Sequence, residues 1–511
     1  MLRNNFKKTN KLPVQNMENI RLQVRIQEEI EKLMVISEGY VESEESAHLI
    51  EKGLFKQMLS LGLSLLSYIL ERRILRYSES AKVKAGVDHL RYKGQSLRQY
   101  LSIFGLLTLK RSSYWSKETG KVHPVDSHLS LPLTSYWSYN IEELVGENAA
   151  QSDYKESVRV INKLLELGIS GKSSERNAGH IGAVVESFYE SKPSEKQEQA
   201  VCFSASFDGK GVPKIKPIEE GKGSSNPKKR LEKGEKKGIM EMATVSVTSS
   251  FEPKKRSVAG IISSLMGSPL SKVESDSQNT KADKGQDNRW HRDIHRRAFL
   301  ANQQKAVEYG LDRIKQSMVN PQSRFVVPID AGIGLEDKVM AWVKENKMEN
   351  QFDGIVLDII HVSEYVWDAG TAVFGEKSRS KATWVREVLT DLLNSKTSKV
   401  IRDLKRIQTK TQLSQSKLKQ IEKTITYFTN HKHKMDYKTF IDKGYPVSSA
   451  LVEAACGHLV KQRMEQSGMR WSSQGAQNIM NLRAVKLNGD MEEFMTFRIK
   501  VEQENAFKLA A

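Results

Sequence analysis

The spacing of apolar residues changes several times along the chain. Residues 57–70 (QMLSLGLSLLSYIL) form the most apolar window and run straight into Glu71, Arg72 and Arg73. A bilayer span needs about 20 apolar residues, so this run reads as the buried part of a long amphipathic helix predicted over residues 46–77. Upstream, residues 1–45 read as a polar tail with one short helix in NIRLQVRIQEEIEKLMVI, whose apolar positions fit no single period. Residues 99–133 change to short β-rich runs broken at Gly105 and KETGK, then to an extended, proline-bounded HPVDSHLSLP. Helical spacing returns over residues 141–190. There SVRVINKLLELGISGKSSERNAGHIGAVVESFY reads as helix, short glycine-containing turn and helix. That is the pattern of a helix-turn-helix, although two helices with no DNA role can show it too.

From about residue 199 the pattern is one of strands. AVCFSASF runs to Asp208-Gly209, IMEMATVSVTSSF alternates with period two, and SRFVVPID and FDGIVLDIIH follow, each leading into a helix. A helix is predicted over residues 295–318, and residues 214–238 and 264–288 read as solvated loops rich in Lys, Gly, Ser and Pro. Residues 380–430 are helical and charged. Their apolar stripe of Leu392, Leu393, Val400, Leu404, Ile407, Leu413, Leu418 and Ile421 could seek a partner, which makes self-association an expectation. A last helix starts near Val447 and passes through Glu453 and His458. Two strands, then strand–helix alternation, then a terminal helix is the order of an RNase H-like domain. The fold class expected is therefore α/β: an RNase H-like core with a helical insertion, preceded by an α+β DNA-binding region. The corresponding segments are 1–45 (tail), 46–190 (DNA-binding region), 195–375 (core), 376–440 (insertion) and 441–511 (third-acid helix and basic C-terminal region).

Charge sharpens this. The 511 residues hold 80 Lys and Arg against 62 Asp and Glu, a net +18, with a mean hydropathy of −0.52 and a pI near 9.5. Such an excess favours a polyanionic partner, most simply nucleic acid, through counterion release. The two cysteines, Cys202 and Cys456, cannot form a zinc ribbon or a disulfide framework and sit among small apolar neighbours as packing residues. With no apolar leader in MLRNNFKKTNK, a cytoplasmic, nucleoid-associated protein with no membrane partner is expected.

Two-metal phosphoryl chemistry needs carboxylates that converge on divalent ions about 4 Å apart, and such hard ions prefer oxygen ligands. Asp208 and Asp330 close predicted strands and Glu453 sits on a helix among Leu451, Val452, Ala454, Ala455 and Cys456, company in which a carboxylate needs a partner or a metal. The separations are 330 − 208 = 122 and 453 − 330 = 123 residues. Each acid alone could be a turn-initiating Asp or a solvated helix position. Asp358 and His361 form a D-x-x-H pair. Asp358 rivals Asp330 as a ligand, and His361 could be an outer-shell donor or a simple packing residue. After Glu453, KQRMEQSGMRWSSQGAQNIMNLRAVK interleaves Lys461, Arg463, Arg470 and Arg483 with Trp471. Those residue types suit phosphate neutralisation and base stacking, or else a solvated basic helix with a core Trp.

These residues together resemble the ISKra4 family of bacterial insertion-sequence transposases. The resemblance spans the chain and is most specific in residues 434–437 (KMDY) and in GYPVSSALVEAACGHLVKQRMEQSGMRWSSQGAQNIMNLRA. LDIIHVSEYVWDAG, FDGKGVP, and FGLLTLKRSSYW with PVDSHLSLP add to it. Ser448-Ser449-Ala450 stands where the family usually has Gly-Ser-Gly, and Ala331 separates Asp330 from its glycine. The resemblance implies a DDE mechanism with Asp208, Asp330 and Glu453 as catalytic metal ligands for Mg²⁺, with Mn²⁺ able to substitute. Asp358 and His361 would be auxiliaries. Lys461, Arg463, Arg470, Trp471 and Arg483 would face double-stranded DNA, at element ends and at the target, in a homo-oligomer. The alternatives are an inactive, transposase-derived DNA-binding protein or another RNase H-like nuclease.

Overall fold

The computed structural model describes residues 14–79, 90–118, 120–199, 201–215, 239–267, 290–410 and 413–510. Most of the two loops expected at 214–238 and 264–288 therefore lies outside the described residues. The chain divides into two compact units, one formed by Met1–Phe188 with Gly489–Ala511 and the other by Tyr189–Asn488. The C-terminal helix thus belongs with the N-terminal part of the chain, whereas the sequence had grouped it with the third-acid helix.

In the first unit, helices α1 (Val14–Val41) and α2 (Ala47–Glu79) precede an antiparallel sheet of β1 (Arg91–Ser102), β2 (Gly105–Ser116) and β3 (Gly120–Val122). What read as a polar tail is therefore largely a 28-residue helix. Gly105 opens β2 with φ of 132°, a conformation open to glycine, so that Ser102 and Gly105 pair across a two-residue turn. The expected extended HPVDSHLSLP instead contains a short helix, α3 (Pro124–His128), because Pro124 is pre-set for a first helical turn. Leu70 and Ile74 of α2 pack on Leu107, Leu109, Val125, Leu129 and Leu131.

Next come α4 (Tyr139–Gln151), α5 (Tyr154–Leu165) and α6 (Gly171–Ser191). Ser138 Oγ caps α4 and the Asp153 carboxylate caps α5, each accepting from backbone N–H groups. The chain reverses through Glu166 (φ 52°) and Gly168 (φ 65°). There the Asn162 side chain clamps both the N–H and the carbonyl of Ile169, each at 2.8 Å. The helix, short turn and helix read from the sequence are thus present as α5, residues 166–170 and α6. The final helix α16 (Met491–Ala510) supplies Arg498, which is buried against buried Glu142 at 2.6 Å.

The second unit is built on a mixed five-stranded sheet in the order β6-β5-β4-β7-β8. Its strands are β4 (Cys202–Lys214), β5 (Ile239–Phe251), β6 (His291–Leu300), β7 (Arg324–Ile329) and β8 (Phe352–Leu357). The first three are antiparallel neighbours, while β7 and β8 run parallel to β4. Alternate residues serve opposite faces. Phe203, Ala205, Phe207, Val327 and Ile329 meet α8 (Gln303–Ser317) and α9 (Leu335–Glu345) through Val307, Leu311 and Val339. Val326 and Val356 meet the other layer, made by α7 (Val258–Leu265), α10 (Ile359–Phe374), α11 (Arg379–Leu393), α12 (Thr397–Lys410), α13 (Gln415–His431) and α14 (Tyr437–Asp442).

Two expectations change here. Residues 291–300 are a strand, and the helix expected from 295 begins only at Gln303. The reason is Arg297, which is fully buried with its guanidinium stacked on Tyr189, Phe299 and Tyr309 at 4.5, 5.1 and 4.9 Å. A charge inside an aromatic cage spoils the hydrophobic alternation by which strands are recognised. The apolar stripe of the insertion is also satisfied within its own unit, since Leu392, Leu393, Val400, Leu404 and Ile421 belong to one core with α10. It gives no support to self-association.

Removing one partner of a buried ion pair leaves an uncompensated charge and costs about 3–5 kcal/mol. Arg498→Ala should therefore lower the stability of the first unit by about 3 kcal/mol, read as a lower denaturant midpoint. A midpoint unchanged from wild type would show that Glu142 does not depend on this partner.

Candidate metal centre

The site is set by strand register. Between β4 and β7 the parallel pairs Cys202↔Arg324 and Ser204↔Val326 have an offset of 122 residues (324 − 202). Between β7 and β8, Ile329↔Leu357 gives an offset of 28 (357 − 329). Asp330 and Asp358 directly follow the last β7–β8 pair, Ile329↔Leu357, and the Asp358 N–H donates to the Ile329 carbonyl at 2.8 Å, whereas the β4–β7 pairing ends at Ser204↔Val326, four residues before Asp208. The separation of 122 between Asp208 and Asp330 equals the offset of the β4–β7 pairs, although these two residues lie beyond the paired stretch. Asp330 and Asp358 stand one residue past their strands. Asp208 does not end its strand as expected, because β4 continues to Lys214 with Asp208 opposite Val245 on β5.

Glu453 approaches Asp358 from α15 (Ala450–Ala455). The segment before it is hooked onto the sheet edge: Ile359 N–H donates to the Val447 carbonyl at 3.0 Å, and Ser449 Oγ donates to Asp358 Oδ2 at 2.7 Å. Asp358 Oδ1 accepts from the Ile360 N–H at 2.9 Å, capping α10, so this fully buried carboxylate spans two elements. His361, one turn into α10, places Nε2 3.4 Å from Glu453 Oε1 and Nδ1 3.5 Å from Glu364 Oε2. The candidate ligand atoms of Asp358, His361 and Glu453 all lie within 4.8 Å of one another. Glu453 Oε1 is buried with no hydrogen-bond partner among the described residues. A buried acceptor of this kind needs a donor or a cation.

Electrostatics ties the whole group together. Burial, then the charges of Asp358 and Asp208, raise the Glu453 pKa against the opposing pull of His361. Burial, then Asp208 and Asp358, raise that of Asp330, although the Gly332 N–H donates to its Oδ1 at 2.8 Å. For His361 the largest influence is burial, which lowers its pKa, but Asp358, Glu453 and Glu364 together outweigh it and the net shift is upward. Cys456, one turn beyond Glu453, has its thiol pushed up by burial and by Asp208, with which it hydrogen-bonds. Four carboxyl groups crowded into a partly dry corner repel one another, and a divalent cation is the simplest relief.

Of the five predicted acidic and histidine positions, three come together within ligand distance, and Asp208 and Asp330 lie near enough to shift the pKa of their neighbours. The tight group is Asp358, His361 and Glu453, with Asp208 and Asp330 beside it in the same electrostatic neighbourhood. Sequence reading missed Glu364, the Ser449 hook and the Cys456 contact. Cys456 lies three residues from Glu453, a spacing that puts both on one helical face.

The basic segment that follows needs correction. Lys461 and Arg470 are exposed, but Arg463, Trp471 and Arg483 are inside the protein. The Arg463 guanidinium lies 4.8 Å from the Trp471 ring centre and donates to Met469 Sδ. The Trp471 indole N–H donates to the Met464 carbonyl at 3.1 Å. Arg483 donates to the carbonyls of Leu459 and His458, and burial lowers its pKa to about 10. These side chains fasten a π-helical turn, Cys456–Lys461, that directly follows α15, and such turns leave backbone groups in need of partners. Trp471 also pairs with the far end of β4 through Pro213 and Ile215. The aromatic and two of the arginines therefore brace the Glu453 helix and are not available to stack on or neutralise DNA.

No family model matches the chain, and no curated protein matches it.

A carboxyl with a raised folded pKa binds its proton more tightly than the unfolded chain does, so stability falls as pH rises through that window. His361, with a raised pKa, contributes stability below its ordinary value that is likewise lost as pH rises. The metal-free protein should therefore lose stability from this cluster as pH rises through and above the ordinary range of its carboxyls and histidine. Mn²⁺ should raise the melting temperature more at the upper end of that range, and Glu453→Gln should remove most of the ion's effect. Equal Mn²⁺-induced melting shifts in wild type and variant would refute this assignment.

Proposed function

We propose that this chain is a DDE-type DNA transposase of the insertion-sequence class, with an RNase H-like core that cleaves and joins DNA strands using divalent cations. The observation that carries the reading is the close group of Asp358, His361 and Glu453, with Asp208 and Asp330 near enough to act on it electrostatically. The strand order, three antiparallel strands followed by two parallel to the first, supports the RNase H-like assignment, and the net charge of +18 supports DNA as the partner.

Mg²⁺ or Mn²⁺ bound here would activate water or a 3′-hydroxyl and stabilise the leaving oxygen. Asp208, Asp330 and Glu453 provide the oxygen ligands in the DDE reading. Asp358 fixes the Ser449 segment and with it the approach of Glu453. His361, with Nε2 3.4 Å from Glu453 Oε1, favours the ionised form of that carboxylate. The close group of Asp358, His361 and Glu453 favours a second assignment at the same site, in which Asp358 takes the place of Asp330 as ligand. An imidazole in the set would shift preference from Mg²⁺ towards Mn²⁺ or Zn²⁺.

The test is nicking and strand transfer on a duplex carrying an element end. Asp208→Asn and Glu453→Gln should each remove at least about 3 kcal/mol of transition-state stabilisation, roughly 100-fold in rate. Asp330→Asn should match them if the DDE set is correct, whereas Asp358→Asn should match them in the second assignment. Full nicking by Asp208→Asn would reject the ligand assignment. DNA binding without cleavage under any metal would favour an inactive derivative, and preference for branched DNA another nuclease.

Binding divides the basic residues. Lys461→Ala and Arg470→Ala should each weaken binding across sequences and flatten the salt dependence by about 0.9 in slope, with folding intact. Arg463→Ala should instead lower the melting temperature. Unchanged salt slopes for the two exposed positions would place the DNA surface elsewhere.

A further inference from the structure

Helix α2 has three faces. Leu63, Leu66, Leu70, Ile74 and Tyr77 pack into the core with β2 and α3. A second face meets α1, where Ser60 Oγ donates to Glu29 at 2.9 Å. The third carries Phe55, Met58, Leu65 and Ile69, which are 44, 61, 40 and 50% exposed. With Gly62 these positions recur in steps of 3, 4, 3 and 4, the spacing of a seam made for another helix. A Cβ at Gly62 would lie 2.6 Å from the Phe104 ring, so Phe104 fills the one place in the seam that lacks a side chain.

The seam is symmetric about Gly62. Phe55 and Ile69 each lie seven residues from it (62 − 55 and 69 − 62), and Glu51 and Arg73 each lie eleven from it (62 − 51 and 73 − 62). Glu51, Arg72 and Arg73 are all exposed. A helix laid antiparallel across this face must offer apolar residues at its centre, a basic group against Glu51 and an acid against Arg72 and Arg73. Helix α2 itself meets all three conditions.

We propose that this face is the dimerisation surface of the protein, where α2 of a second copy docks antiparallel in an isologous contact centred on Gly62. Ile69 of one copy lies against Phe55 of the other, and Glu51 against Arg72 and Arg73. By length and composition alone α2 could also cross a membrane. Two of its three faces are already occupied by protein, however, and the third is bounded by charge at both ends.

Sedimentation equilibrium of the full chain should give 2 × 58.0 = 116.0 kDa. Leu65→Glu with Ile69→Glu should return it to 58.0 kDa with unchanged circular dichroism. Glu51→Arg should weaken association several-fold, and adding Arg72→Glu with Arg73→Glu should restore it, a test that holds even if the apolar variant misfolds. Under oxidation, a Glu51→Cys chain should cross-link to an Arg73→Cys chain but not to itself, with wild type as the control for Cys202 and Cys456. A wild-type monomer at every concentration, a dimer indifferent to the Leu65 and Ile69 changes, or cross-linking of Glu51→Cys to itself would overturn the proposal. So would a monomer that floats with phosphatidylcholine vesicles.

Discussion

The crowding of like charge at one edge of the five-stranded sheet is the constraint around which the second unit is arranged. Strands β4, β7 and β8 carry Asp208, Asp330 and Asp358 into one electrostatic neighbourhood, and Glu453 joins Asp358 there from outside the sheet. Bringing carboxyl groups this close is unfavourable twice over, through burial and through mutual repulsion. The upward shifts of Glu453 and Asp330 record both costs. Such an arrangement persists only because the surrounding structure over-determines it.

That reinforcement can be traced residue by residue. Asp358 accepts with one carboxylate oxygen at the start of α10 and with the other from Ser449, so the approach of Glu453 is fixed by the acid that follows β8. Beyond Glu453 the helix loosens into a π-turn whose carbonyls are taken up by Arg483, while Arg463 and Trp471 stack beneath it. Trp471 then returns to the end of β4, the strand that carries Asp208. The chain thus closes a loop from Asp208 through the sheet to Glu453 and back.

Much of this was legible in the amino-acid order, and the exceptions share a cause. Strands flanked by turn residues, the capped helices and the acids that follow apolar strands show themselves through period and composition. Register does not: nothing in a separation of 122 residues announces a parallel pair until the strands are aligned. Charged groups that fold inward mislead in the same way. Arg297 hides a strand by sitting among three rings, and Arg463 and Arg483 look like phosphate ligands because a guanidinium capping a buried carbonyl has the same sequence signature as one capping a phosphate. The helical insertion errs in the opposite direction, since an amphipathic stripe reads alike whether its partner is another chain or the next helix.

The charge of the whole molecule and the charge of its site have opposite signs, and under the proposed function both are needed. An excess of 18 positive charges draws a polyanion in over distances longer than any contact. Once there, a phosphodiester would meet carboxylates that repel it, and no rearrangement of surface lysines removes that local conflict. A divalent cation between the two does, since it binds both and lowers the energy of each. On this argument the acidic corner is where substrate and metal require one another, and the basic exterior governs only how fast they meet.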